Sequence, residues 1–177
     1  IVKKHDGHIA VSSNVGIGTT FVIYLPVSTT QQVAAKAEPL EVQHTHGRVL
    51  LMDDEEMVRQ SLSMLLKHFG HDVVGVRNGE AALSVYEEAR KNGNPFDLVI
   101  LDLTIPGGMG GTETMKRLRE LDSDVKGIVS SGYCDDPAMA EYEKHGFRAA
   151  IAKPWEMEDA RCVIDRVLAE QTVASGS

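Results

Sequence analysis

The sequence predicts an α/β protein in which five parallel strands, covered by helices on both faces, occupy residues 47 to 171 of 177. Three observations carry this prediction. Five short apolar runs recur from Arg48 onward, each too continuous for a strand with a wet face. Amphipathic stretches of helical period separate the runs, and alternating strands and helices give a doubly wound (βα)5 sheet with right-handed crossovers. Finally, polar side chains follow the runs directly, so that the carboxyl edge of the sheet carries acids, hydroxyls and an amine.

Taken in chain order, residues 1 to 27 read as a β-hairpin. Gly7 to Ser13 and Thr19 to Leu25 are rich in β-branched and aromatic residues, and Asn14-Val15-Gly16-Ile17-Gly18 supplies a reversal. Two strands alone are marginal in water, so the hairpin calls for a partner surface. Residues 28 to 46 have linker composition, from Ser28-Thr29-Thr30-Gln31-Gln32 to His44-Thr45-His46. The predicted strands are Val49 to Met52, Val73 to Val76, Leu98 to Leu101, Gly127 to Val129 and Ala149 to Ala152. Helical stripes follow them: Met57, Leu62, Leu65 and Leu66 come first, then Ala81, Leu83, Tyr86 and Ala89. Met115, Leu118 and Leu121 form the third, Met139, Ala140 and Tyr142 the fourth, and Val163, Ile164, Val167 and Leu168 the fifth. Residues 172 to 177 read as a tail.

Composition narrows the function. Eighteen basic against 26 acidic residues give a net charge of −8, which argues against a nucleic-acid binder. Two cysteines, Cys134 and Cys162, fit a reducing compartment. No apolar run approaches the ~18 residues of a membrane span. The expected location is therefore cytoplasmic, with no membrane contact in this segment. The start at Ile1, without Met or a signal core, reads as a piece of something longer.

The polar tips define the chemistry. Asp53-Asp54 follow the first run, Asp102 the third, Ser130-Ser131 the fourth and Lys153 the fifth. In open α/β sheets ligands bind beyond the carboxyl ends of strands. Two carboxylates ~4 Å apart repel by about 4 kcal/mol at an effective dielectric of 20, so three acids together call for a cation. Oxygen donors with room for water suit Mg2+, and no Cys/His cluster offers a softer site. Lys153 supplies positive charge for a phosphoryl oxygen, Ser131 a donor, and a carboxylate can itself accept a phosphoryl group as an acyl phosphate. Each residue also has a plainer use: Asp53 and Asp54 could favour a helix N-terminus, Asp102 could cap a loop, and a lone lysine is ordinarily solvated. Their coincidence at four strand ends favours the shared site.

Residues 48 to 155 resemble the receiver domain of two-component response regulators. The resemblance is carried by Asp53-Asp54-Glu55, by Asp102 before Leu103-Thr104-Ile105-Pro106, by Ser131-Gly132 and by Lys153-Pro154, all in order. It implies the flavodoxin-like strand order 2-1-3-4-5 and a phosphoacceptor role for Asp102. It also implies Mg2+ on Asp54, Asp102 and the Thr104 backbone carbonyl with Asp53 assisting, and a cis peptide at Lys153-Pro154. Residues 1 to 27 resemble the end of a histidine-kinase ATPase domain, through Lys3-Lys4-His5-Asp6-Gly7-His8-Ile9 and Gly16-Ile17-Gly18-Thr19-Thr20-Phe21. The ATP-binding segments of that family are missing, so the segment itself is not expected to bind ATP. Kinase tail, linker and receiver together are the arrangement of a hybrid sensor histidine kinase. The implied partners are a phosphohistidine domain as donor and a histidine phosphotransfer protein as recipient. A homodimer through the hairpin edge is open, and the seven residues from Gln171 leave no room for a DNA-binding output domain.

Two departures from the family pattern stand out. Ala150 occupies the place of an aromatic residue that usually swings inward on phosphorylation. Tyr133, two residues past Ser131, is expected to shield the acyl phosphate from water. Gly107-Gly108-Met109-Gly110-Gly111 is one residue longer than the commonest form and reads as a turn. The alternatives are a stand-alone receiver acting as a binding module, and an aspartyl-phosphate phosphatase. The second would want an acid where Thr104 stands.

Overall fold

The computed structural model describes residues 2–5, 7–16, 18–26, 46–132 and 137–170. The chain divides into two compact units, Ile1–Leu40 and Glu41–Ser177.

In the first unit a 3-10 turn, Val2–His5, precedes strands β1 (His8–Asn14) and β2 (Gly18–Tyr24). They pair antiparallel, with Ile9 opposite Ile23 and Val11 opposite Phe21. Gly16 and Gly18 have φ of 79° and 140°, values that L side chains rarely adopt, which is why the reversal falls there. The Ser13 and Thr19 hydroxyls, 2.8 Å apart, close the end of the ladder. Ile9, Val11, Phe21 and Ile23 share one face, and all four are exposed.

The second unit is the predicted sheet. Strands β3 (Arg48–Met52), β4 (Asp72–Val76), β5 (Leu98–Asp102), β6 (Gly127–Ser131) and β7 (Ala149–Ala152) are all parallel, in the spatial order β4-β3-β5-β6-β7. Counted within this unit that is 2-1-3-4-5, the expected order. The three inner strands, β3, β5 and β6, are almost wholly buried, and alternation sorts the side chains of the sheet between two cores. Leu50, Met52, Val99, Leu101 and Val129 face one, beneath α2 (Gly79–Lys91) and α3 (Gly111–Leu121). Val49, Leu51, Ile100, Ile128 and Ile151 face the other, beneath α1 (Glu56–His68) and α5 (Met157–Ala169).

Three helical expectations change. Met57 is 76% exposed and does not belong to the α1 stripe, which is built on Leu62 and Leu66 with Val58 and Leu65 at its margin. Ala82 replaces Ala81 and Leu83 as the fully buried residue at the start of α2. Among the described residues the fourth stripe forms α4 (Pro137–Ala140) and a 3-10 turn, Tyr142–His145, that stops at Gly146 with φ 86°. Four residues cannot hold the cooperative length of an isolated helix, so tertiary contacts of Met139 and Tyr142 hold this segment instead.

The start of α2 is set by close packing. Asn78 accepts the Ala81 N–H at 3.0 Å as its cap, and Gly79 follows where a Cβ would lie 2.1 Å from Thr114 Oγ1 and 2.7 Å from Met109 Cγ. Gly79→Ala is therefore expected to destabilise the domain by about 1–3 kcal/mol, the usual cost of overpacking, read as a lowered urea midpoint. A midpoint at or above that of the parent would contradict the contact.

His71, between α1 and β4, is 4% exposed, and neither ring nitrogen has a hydrogen-bond partner. Burial holds its pKa below the ordinary value of 6.5, with the Asp165 charge opposing and His46 and Arg161 reinforcing the shift. The unfolded chain thus takes up the proton first, and His71 withdraws stability as pH falls through and below 6.5. His71→Leu is expected to flatten the fall in unfolding free energy between about pH 7 and pH 5. An unchanged slope would exclude His71 as its source.

Candidate functional site

The site is built where β3, β5, β6 and β7 end. Asp53 follows β3, Asp102 closes β5, Ser131 closes β6, and Lys153 follows β7. The register aligns Met52 with Leu101, Asp102 with Ser130 and Ser131 with Ala152, so these ends lie level along one edge. From just beyond β7 the Lys153 amine reaches Asp53 Oδ2 at 2.6 Å and Asp102 Oδ2 at 3.0 Å. The arm crosses the end of β6, where the chain runs Ser130-Ser131-Gly132 and nothing large stands.

Each carboxylate is held differently. Asp53 is buried; its Oδ1 accepts the Glu55 N–H at 2.9 Å and its own N–H donates to the Val76 carbonyl at 3.1 Å. Asp102 is 9% exposed. Its pKa is raised: burial pushes it up most strongly, the Lys153 hydrogen bond and charge pull it down, Asp53 raises it further and the Thr104 N–H lowers it. Burial alone would lower the Lys153 pKa, but hydrogen bonds and charges from Asp53 and Asp102 outweigh that, and its net shift is upward. Lys153 therefore stays an ammonium. Asp102 is a more basic carboxylate than usual.

Oxygen atoms of Asp53, Asp54 and Asp102 all lie within 4.8 Å of one another. Asp54 is exposed while the other two are buried, so the cluster opens to water on one side. Three carboxylates against one ammonium leave excess negative charge, and all the donors are hard oxygens. The residues present therefore fit a Mg2+ ion that keeps several waters.

The family model of the response regulator receiver domain matches residues 49–165. The chain belongs to the response regulator receiver family. Among curated relatives of this receiver, "Sensor kinase CckA" of Brucella abortus (strain 2308) is 32% identical over 186 residues, covering 97% of this chain and 19% of that protein. "Sporulation initiation phosphotransferase F" of Bacillus subtilis (strain 168) is 28% identical over 121 residues, covering 68% of this chain and 93% of that protein. The chain thus spans about a fifth of one relative and nearly all of another. A receiver domain from Clostridium thermocellum superposes with a TM-score of 0.62 at 23% identity, covering 68% of this chain and 93% of its own, and agrees in fold.

The expected receiver residues converge with few exceptions. Asp53, Asp54, Asp102 and Lys153 meet, and the Lys153-Pro154 bond is cis. Ser131 ends β6 beside them and is buried. Thr104 is exposed, and its N–H reaches Asp102. Tyr133 lies outside the described residues. Two contacts were not anticipated. Trp155 Nε1 donates to Ser130 Oγ at 2.9 Å, which engages the neighbouring serine and ties the segment after Lys153 to β6. Arg59 from α1 reaches the backbone of the acid pair. Neither pairing has a local sequence signal.

Mg2+ at a hundred times its dissociation constant is expected to stabilise the parent by about 2.7 kcal/mol, read as a raised Tm. Asp54→Asn, which removes the exposed charge of the cluster without touching Lys153, is expected to lose most of that rise. An equal rise in both proteins would exclude Asp54 from the metal site.

Proposed function

We propose that this chain is the phosphoryl-accepting receiver of a hybrid sensor histidine kinase, with Asp102 as the acceptor. The observation that carries the acceptor role is the position of Asp102: it is the one carboxylate of the cluster that ends a central strand, bonded by Lys153 and close to the exposed Asp54. The donor is a phosphohistidine. Its N–P bond breaks as an Asp102 carboxylate oxygen forms the new O–P bond, and the imidazole departs with its electron pair. Asp54, Asp102 and the Thr104 carbonyl, with Asp53 assisting, would hold a Mg2+ ion, which would supply charge neutralisation for the phosphoryl oxygens. Lys153 and Ser131 receive the remaining oxygens as ion-pair partner and hydrogen-bond donor. Because Lys153 already bonds Asp102 before transfer, a phosphoryl group on Asp102 gives the amine a new partner, which changes what holds β7 to β5.

The hybrid arrangement is supported by the extent of one likeness. Similarity to "Sensor kinase CckA" runs over 97% of the chain, which includes most of residues 1 to 46, whereas that to "Sporulation initiation phosphotransferase F" covers only 68%. In this reading residues 1 to 27 are the end of a kinase ATPase domain, 28 to 46 a linker, 47 to 171 the receiver and 172 to 177 a tail. The recipient is a histidine phosphotransfer protein, or the receiver regulates its own kinase, and the setting is cytoplasmic. Among the described residues no helix is long and apolar enough to cross a membrane. The shorter, receiver-length relative favours a second reading, a stand-alone response regulator that signals by binding.

Incubation with acetyl phosphate and Mg2+, followed by intact mass, is expected to add one phosphoryl group to the parent and none to Asp102→Asn. A gain that persists in Asp102→Asn would refute the acceptor assignment. Phosphoryl transfer in cis from the histidine of the full-length protein would separate the hybrid reading from the stand-alone one.

A further inference from the structure

The geometry points to Arg59 as the positioning residue that sets the metal affinity of the acid pair, with Gly75 as the gap that lets it do so. This inference rests on the receiver reading of the site. Arg59 sits in the first turn of α1, and helical side chains lean toward the N-terminus of their helix, here toward the loop that carries Asp53 and Asp54. Its Nη1 donates to the Asp53 carbonyl at 2.7 Å and to the Asp54 carbonyl at 3.4 Å. These two carbonyls precede the helical ladder, whose first bond here runs from the Arg59 N–H to the Glu55 carbonyl at 2.9 Å. Since the Asp53 N–H is already bound to Val76 in β4, Arg59 holds the other end of the same residue.

The route of the side chain explains a residue that otherwise weakens a strand. Gly75 is in β4 with an ordinary backbone, and a Cβ there would lie 3.2 Å from Arg59 Cγ and 3.3 Å from Cδ. Both contacts are tighter than a relaxed packing allows, so any side chain at 75 displaces the arginine arm. Glycine in a strand interior commonly marks such a close approach.

The mode of contact also matters. Lys153 binds carboxylate oxygens directly, as a point charge. Arg59 instead binds the main-chain carbonyls of Asp53 and Asp54, so it fixes the backbone of the pair without occupying a carboxylate oxygen. One nitrogen, Nη1, makes both contacts, the one to Asp53 short and the one to Asp54 long. Asp54 gains most, because Asp53 has Lys153 and the Glu55 N–H to orient it besides.

Calorimetric titration of the full chain with Mg2+ tests this, with thermal unfolding run in parallel. Arg59→Ala is expected to weaken Mg2+ binding by about tenfold, the lower end of the range for residues that orient metal ligands. Arg59→Lys is expected to recover part of the loss. Gly75→Ala is expected to weaken binding in the same direction, and to add nothing when combined with Arg59→Ala. A purely structural arginine would lower Tm and leave the dissociation constant alone, and that result overturns the inference. Where Arg59→Ala does not fold, Gly75→Ala decides by the same criterion. A parent protein that takes up no Mg2+ overturns the metal reading of the site and this inference with it, whereas binding by the parent with unaffected variants overturns the inference alone.

Discussion

The contact on which the domain's chemistry depends is the ammonium of Lys153 held between Asp53 and Asp102. It joins three strands that are far apart in sequence, and it does so where Asp53 is 2% and Asp102 12% exposed in their side chains. Breaking a buried ion pair by removing one partner ordinarily costs about 3–5 kcal/mol, because a charge is left without compensation. The lysine thus makes it tolerable for two carboxylates to face each other at the sheet edge. It does so incompletely, since three acids meet one base, and the remaining negative charge is what makes the edge a cation site. Strand order follows the same logic. The order β4-β3-β5-β6-β7 makes β3 and β5 neighbours and sets β7 one strand away, so only a long side chain can close the gap, and only over a strand that ends in small residues. Lysine at 153 and serine and glycine at 130 to 132 satisfy both conditions.

Much of this was legible from the sequence because the signals are local. A central strand buried on both faces must be apolar along its length, so β3, β5 and β6 announce themselves, and the polar residue that ends each run is read off directly. Residue order along the chain then suffices to bring Asp53, Asp102 and Lys153 together, since parallel strands with right-handed crossovers place all their carboxyl ends on one edge. Helix faces were less legible. Met57 fits the apolar period of α1 as well as Val58 does, and only the position of the sheet decides which is covered. The α4 segment failed for a different reason. Its apolar residues mark where the chain touches the core, not that it makes a helix long enough to sustain itself.

The contacts that sequence reasoning missed are those between side chain and distant backbone or hydroxyl. Arg59 looks like any surface arginine of an amphipathic helix, and Gly75 like a weak point in an edge strand; the reason for each is the other. Trp155 reads as packing, yet its indole N–H is spent on Ser130. That bond also distinguishes the surroundings of two adjacent serines. Ser130 alternates with Val129 and so faces the α1–α5 side, where Trp155 meets it, leaving Ser131 on the side of Val129.

The same alternation bears on how phosphorylation can be transmitted. Ala150 pairs with Val129 and packs, half-buried, against the α2–α3 core. A methyl group has no χ1 rotamers to exchange, so no side chain at 150 can swing between two positions as an aromatic residue would. What changes on modification of Asp102 must then begin with groups already bound to it or beside it. Lys153 is one, because it would trade a carboxylate for a phosphoryl oxygen, and Trp155 lies two residues further along the chain. The indole bond from Trp155 to Ser130 returns that path to β6, one residue from Ser131. The Trp155 indole thus ties the segment after β7 to the end of β6 on the α1–α5 side, a link that involves no side chain at 150.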